Sequence, residues 1–89
     1  MIIITGGLGF IGSNLANLLA KKKDVYLVDW INENKLNNIV SQLHKKIISP
    51  ENFIEFLKLN LNNIEIIIHM GAVTSTTEEI ENFFDLVIE

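Results

Sequence analysis

The sequence contains no cysteine, which excludes disulfides, thiolate metal sites and cysteine nucleophiles. It contains no arginine either: all seven basic residues are lysine, set against 11 acidic residues for a net charge of −4. That balance leaves no electrostatic footprint for a phosphate backbone, so nucleic acid is not an expected partner. Apolar stretches such as Ile64 to Met70 fall well short of the roughly 18 residues a membrane span needs, and no basic segment precedes the apolar N-terminus. The expectation is a cytoplasmic protein without membrane contact. A length of 89 residues leaves no room for a second, substrate-binding domain, so the chain reads as a single small domain or a piece of a larger one.

What is present is globular in character. Hydrophobic residues make up 48% and charged residues 20%, which argues against disorder and for a buried core, though a thin one at this length. Isoleucine (15) and asparagine (11) are heavily used. Together with the exclusive use of lysine, this reads as the imprint of an AT-rich gene rather than as a functional signal.

Short apolar runs alternate with helical periodicity. Met1 to Ile4 predicts a buried strand that stops at Thr5-Gly6-Gly7. A helix from about Ile11 to Lys22 follows, with Ile11, Leu15, Leu18 and Leu19 on one face and Lys21-Lys22-Lys23 at its C-terminus, where cations suit the dipole. Val25 to Val28 is a second strand, and Leu36, Ile39, Val40 and Leu43 again have helical spacing. Ile47-Ile48 predicts a short third strand before Ser49-Pro50, a capping residue and a first-turn proline. The helix beyond them runs to about Leu59 with Phe53, Phe56 and Leu57 inward. Ile64 to His69 is the fourth strand. Thr76 with Glu79 forms a capping box, leading into a last helix that carries Ile80, Phe83, Phe84 and Val87. This alternation predicts an α/β fold: half of a doubly wound parallel sheet of the Rossmann type, order 3-2-1-4, with helices on both faces and a ligand crevice at the carboxyl ends of strands 1 and 4.

At the end of strand 1, Gly7-Leu8-Gly9-Phe10-Ile11-Gly12 matches G-x-G-x-x-G, and Gly6, Gly9 and Gly12 also form G-x-x-G-x-x-G. The match follows a strand and opens a helix, the context in which it binds a dinucleotide. The early glycines permit a tight turn, Gly9 lets a pyrophosphate approach the backbone, and Gly12 lets the helix pack against the sheet, with free N–H groups at the helix start facing the phosphates. Asp29 ends strand 2, at the distance where an acidic residue accepts from the adenosine ribose of NAD. Lys35 is placed either to pair with the 2′-phosphate of NADP or to remain solvated, so the choice between NAD and NADP stays open. Trp30 either covers the adenine or packs beneath the following loop. At the end of strand 4, His69 reads as a packed or hydrogen-bonded strand-end histidine ahead of a catalyst. Beyond it, the small residues of Met70-Gly71-Ala72-Val73-Thr74 permit close approach of a ribose or phosphate.

With these residues in hand, the chain resembles the N-terminal part of the extended short-chain dehydrogenase/reductase family of sugar-nucleotide epimerases and dehydratases. The resemblance rests on Thr5-Gly6-Gly7-Leu8-Gly9-Phe10-Ile11-Gly12 and on His69-Met70-Gly71-Ala72 followed by Thr74-Ser75-Thr76-Thr77-Glu78. It implies an NAD or NADP cofactor held by Gly6, Gly7, Gly9, Phe10, Ile11 and Gly12 at the pyrophosphate turn. It further implies Asp29, Trp30 and Lys35 around the adenosine, and Met70, Gly71, Ala72, Val73 and Thr74 along strand 4. Trp30 stands where similar epimerases carry an asparagine, Pro50 falls near a lysine that contacts the cofactor in them, and the helix after Glu78 lacks their asparagine, with Val87 close to its place. The family's catalytic Tyr-x-x-x-Lys pair has no counterpart: Tyr26 is the only tyrosine, and Trp30 lies four residues beyond it.

The expectation is therefore a truncated, epimerase-like dinucleotide-binding fragment, inactive alone. The alternatives are one chain of a split epimerase and a non-enzymatic dinucleotide sensor. Ile64, Ile66, Ile67 and Ile68 would then lie on an exposed edge of strand 4, predicting self-association or a complementary chain there.

Overall fold

Alternation along the strands decides which side chain faces which layer, since successive residues of a strand point to opposite faces. The computed structural model describes residues 1–70. Four strands, β1 (Ile2–Thr5), β2 (Val25–Val28), β3 (Ile47–Ile48) and β4 (Ile66–His69), form one sheet in the order β3-β2-β1-β4. Every pairing is parallel, with Ile2 opposite Val25 and Ile66, and Thr5 opposite Val28 and His69. The expected α/β half-sheet with order 3-2-1-4 is the one observed.

The helices are α1 (Phe10–Leu19), α2 (Glu33–Leu36) and α3 (Pro50–Asn60), joined by single 3-10 turns at Ser41–Leu43 and Leu61–Asn63. Ile2, Ile4, Val25 and Leu27 pack on one face with Leu8 and Ala16 and with Ile39 and Leu43 of the second crossover. Ile3 and Val28 pack on the other with Phe53 and Leu57 of α3. A parallel sheet is buried on both faces in this way, which is why β1 reads as an unbroken apolar run. Phe53 and Leu57 are completely buried, and side chains of that size contribute about 1.5–3 kcal/mol each on full burial. Among the described residues, no helix is long and apolar enough to cross a membrane.

Several local expectations need correction. The inward face of α1 is built from Gly12, Ser13 and Ala16 with Leu15 and Leu19 beside them, whereas Ile11 and Leu18 are exposed. The helix lies so close to the sheet that its contact stripe takes small residues, and larger ones are turned to its flanks. α1 also ends at Leu19 with Ala20 as its cap, so the lysine run lies past the helix, where Lys22 and Lys23 donate backbone N–H groups to the Leu19 carbonyl. The second crossover is not one helix: a four-residue helix and a separate 3-10 turn bring Ile39 and Leu43 inward, while Val40 is exposed. Ser49 precedes α3 without capping a backbone N–H; its hydroxyl accepts instead from the Asn52 side chain at 3.0 Å. Of the four isoleucines expected on the exposed edge only Ile66 is exposed, while Ile64, Ile67 and Ile68 are half-buried against the two core clusters. The last helix, over Thr76 to Val87, lies outside the described residues.

Candidate functional site

β1 delivers the chain into the glycine turn at the carboxyl edge of the sheet, and each glycine there meets a different constraint. Gly6 has φ of 69°, a conformation that L side chains avoid. A Cβ on Gly7 would sit 2.6 Å from Cδ2 of Leu27, and one on Gly12 would sit 2.5 Å from the carbonyl oxygen of Gly6. These two glycines let the turn and α1 lie against the sheet. Gly9 differs. Its φ of −68° and ψ of 169° suit any residue, and an added Cβ would meet only the Gly6 carbonyl, at 3.3 Å. Gly9 is thus tight against one atom only, the Gly6 carbonyl oxygen, and the fold constrains it less than Gly7 or Gly12.

Gly9 is the N-cap of α1 and offers no side chain to its first turn. The N–H groups of Phe10, Ile11 and Gly12 therefore lack the partners that a capping residue would supply, and they coincide with the positive end of the helix dipole. Phe10 and Ile11 project their side chains into solvent, at 83% and 64% exposure. These two residues thus serve the turn through their backbone. Leu8, by contrast, is completely buried beneath it.

Asp29 stands half-buried at the end of β2, directly beside this turn. Its Oδ2 accepts from the Leu8 N–H at 3.0 Å and its Oδ1 from the Trp30 N–H at 2.8 Å. The carboxylate is thereby tied to the glycine turn across 21 residues of sequence. Trp30 is 55% exposed, which speaks against the second of its two readings, packing beneath the following loop. Lys35 lies on α2, exposed, with no ion pair to Asp29 among the described residues.

At the neighbouring strand end, the Thr5 hydroxyl and His69 Nδ1 are 2.6 Å apart, and the Met70 N–H donates to both the Thr5 carbonyl (3.0 Å) and its Oγ1 (3.2 Å). His69 is the hydrogen-bonded strand-end histidine expected from its position. Met70 is 39% exposed where the chain leaves β4. Gly71, Ala72, Val73 and Thr74 lie outside the described residues.

Sequence reasoning missed a set of polar side chains that organise the surroundings. Asn17 on α1 accepts from the Val40 N–H at 2.9 Å and donates to the Asn38 carbonyl at 2.8 Å, docking the second crossover onto α1. The His44 Nε2 lies 3.0 Å from the Leu36 carbonyl and closes the same segment. The heavy asparagine content concealed the first of these, because nothing in the sequence separates Asn17 from its ten fellows.

A curated relative, the ADP-L-glycero-D-manno-heptose-6-epimerase of Fusobacterium nucleatum subsp. nucleatum, is 42% identical over 88 residues. The alignment takes in 93% of this chain but 26% of that protein, so the chain spans about a quarter of the relative's length. The profile of the NAD dependent epimerase/dehydratase family, which implies a nicotinamide dinucleotide, matches residues 2–87. With 86 of its 89 residues inside that match and the glycine turn, parallel sheet and β2 aspartate in place, the chain belongs to the NAD dependent epimerase/dehydratase family.

Proposed function

We propose that the chain is the dinucleotide-binding part of a sugar-nucleotide epimerase of the ADP-heptose type, and that its 89 residues bind cofactor without carrying out epimerisation by themselves. The observation that carries this reading is the uncapped first turn of α1, headed by Gly9, which offers that turn no side chain and is the least constrained glycine of the motif. A pyrophosphate fits that cradle: the N–H groups of Phe10, Ile11 and Gly12 would hold it, and Asp29 would accept from the adenosine ribose hydroxyls. When bound, the nicotinamide supplies a reversible hydride acceptor.

The protein's own groups at the site bind and orient. Asp29 favours the ribose diol of NAD, whereas Lys35 would favour the 2′-phosphate of NADP, so the ratio of the two affinities reads which residue governs. Proton transfer at a sugar carbon needs a positioned acid or base. Tyr26, the only tyrosine, lies on β2 with its ring 5.1 Å from that of Phe56, on the face covered by α3, and no lysine follows at the fourth position. It is not placed for that role.

The test is a backbone-amide NMR titration of the chain with NAD⁺ and NADP⁺. Saturable shifts at Gly9, Phe10, Ile11, Gly12 and Asp29 are expected; amides that stay unmoved by both would refute the reading.

A specific feature favours one extension. Among the described residues β4 pairs only with β1, and Ile66 is 51% exposed on it. An edge left unpaired among the described residues and bearing isoleucine is a template for another strand, which favours completion of the site by a further polypeptide segment or by a second copy. Sedimentation of the chain alone and with a candidate complement tests this, and a monomer indifferent to any complement would count against it.

A further inference from the structure

We infer that Asp29 is a positioning residue for the phosphate-binding turn, acting through the Leu8 N–H, so that recognition of ribose and of phosphate is coupled through one carboxylate. This rests on the dinucleotide reading above and adds to it a role that does not require contact with the ligand. Leu8 sits at the centre of the glycine turn and is completely buried. A buried N–H must find an acceptor, and the acceptor here is no backbone carbonyl but Oδ2 of Asp29 at 3.0 Å.

The other oxygen is fixed too, since Oδ1 accepts from the Trp30 N–H at 2.8 Å. The carboxylate is thus held at both oxygens, one bond reaching the turn and one its own strand exit. Gly9 follows Leu8 directly, and its N–H closes back on the Gly6 carbonyl at 3.1 Å. The position of Leu8 therefore sets where Gly9 and the open amides of α1 stand. A carboxylate has about four lone-pair sites, and two are engaged in this way, leaving the remainder for ribose hydroxyls.

The sign of the effect separates this role from simple electrostatics. Removing a negative charge beside an anion site would by itself tighten anion binding. Loss of the Leu8 anchor would weaken it, because the amides would no longer be held in register.

The probe is inorganic pyrophosphate, which has no ribose, titrated into the chain and followed at the Phe10, Ile11 and Gly12 amides, with NAD⁺ in parallel. Asp29→Ala should weaken pyrophosphate binding about tenfold, the scale of losing one charge-assisted hydrogen bond. It should also remove the hydrogen-exchange protection of the Leu8 amide. Asp29→Asn keeps one oxygen for the Leu8 N–H but sets its amide NH2 against the Trp30 N–H, so it should recover part of both and guards against a folding defect in the alanine variant. Unchanged or tighter pyrophosphate binding in Asp29→Ala, with NAD⁺ binding reduced, would overturn the inference and leave the dinucleotide reading standing. A parent chain that binds neither probe would overturn both.

Discussion

Replacing Gly12 or Gly9 with alanine separates the part of the glycine motif that builds the fold from the part that serves a ligand. At Gly12 the new methyl would stand 2.5 Å from the Gly6 carbonyl oxygen and 3.1 Å from the Gly7 Cα, about 1 Å inside ordinary contact. Neither neighbour yields easily: the Gly6 N–H is bonded to Val28 at 2.8 Å, and its carbonyl already accepts from Gly9. α1 must back away from the sheet. Overpacking of this kind costs about 1–3 kcal/mol, offset by at most about 1 kcal/mol of improved helix propensity. The net loss is at most about 3 kcal/mol, and each kcal/mol corresponds to roughly 4–8 °C in Tm for a domain of this size. At Gly9 the same methyl meets one atom at 3.3 Å, and the backbone at φ −68° already suits alanine. Gly9→Ala should therefore cost clearly less than Gly12→Ala, because the Gly6 carbonyl has to give by only a few tenths of an ångström. It should nonetheless lower dinucleotide affinity by about tenfold or more, because the methyl occupies the pyrophosphate's approach. Thermal or urea denaturation paired with NAD⁺ titration of both variants is the assay. The reasoning is refuted if Gly9→Ala destabilises as much as Gly12→Ala, or if it binds NAD⁺ as the parent does.

Three other outcomes follow from contacts on the page. Thr5→Val should cost about 1 kcal/mol by deleting the hydrogen bond to His69, whereas Thr5→Ser should restore it, as urea midpoints would show. Phe53→Ala should cost about 3–5 kcal/mol, because the ring is completely buried and α3 has no other aromatic side chain so placed; a loss under about 1 kcal/mol would mean that α3 does not seal this face. Lys46 is held above the ordinary lysine range chiefly by its hydrogen bond to Asp24, so the pair contributes below that range and its contribution fades as the pH rises through the raised value. Both partners are more than a third exposed, so Asp24→Asn should cost no more than about 1 kcal/mol near neutral pH, with the difference from the parent vanishing in strong alkali.

The strands were legible because their signal is local. Val25–Val28 and Ile47–Ile48 are bounded by polar or turn residues on each side, and a buried parallel strand needs little beyond an unbroken run of branched side chains. The face of α1 was misread for a physical reason. Periodicity looks for large apolar residues, but a helix drawn close to a sheet by Gly12 buries Ser13 and Ala16, and Ile11 is left at the exposed first turn. The second crossover failed similarly: Leu36, Ile39 and Leu43 do share one side, yet the helix ends at Leu36 with Asn37 as its cap, and asparagine is a weak helix former. Long-range polar contacts left no trace in the sequence, because Asn17, Asp29 and Thr5 find partners 21 to 64 residues away.

The candidate site was readable to an uneven depth for the same reason. A glycine motif records what cannot be present, and three of its four glycines are required by the chain itself: Gly6 by its positive φ, Gly7 by Leu27 and Gly12 by the Gly6 carbonyl. The motif would therefore survive as a fold requirement even in a relative that had lost its ligand. Gly9 is the least constrained of the four, meeting only the Gly6 carbonyl at 3.3 Å, so a glycine there beside the uncapped amides of Phe10, Ile11 and Gly12 bears on binding more than the other three do. Asp29 is the converse case. Its spacing suggested a ribose ligand, but the Leu8 N–H it accepts gives it work in the unliganded fold as well. An aspartate at that position is thus weaker evidence for NAD than its spacing implies, and the affinity of the Gly9→Ala chain carries more weight than any substitution at Asp29 in deciding whether this turn is a working phosphate site.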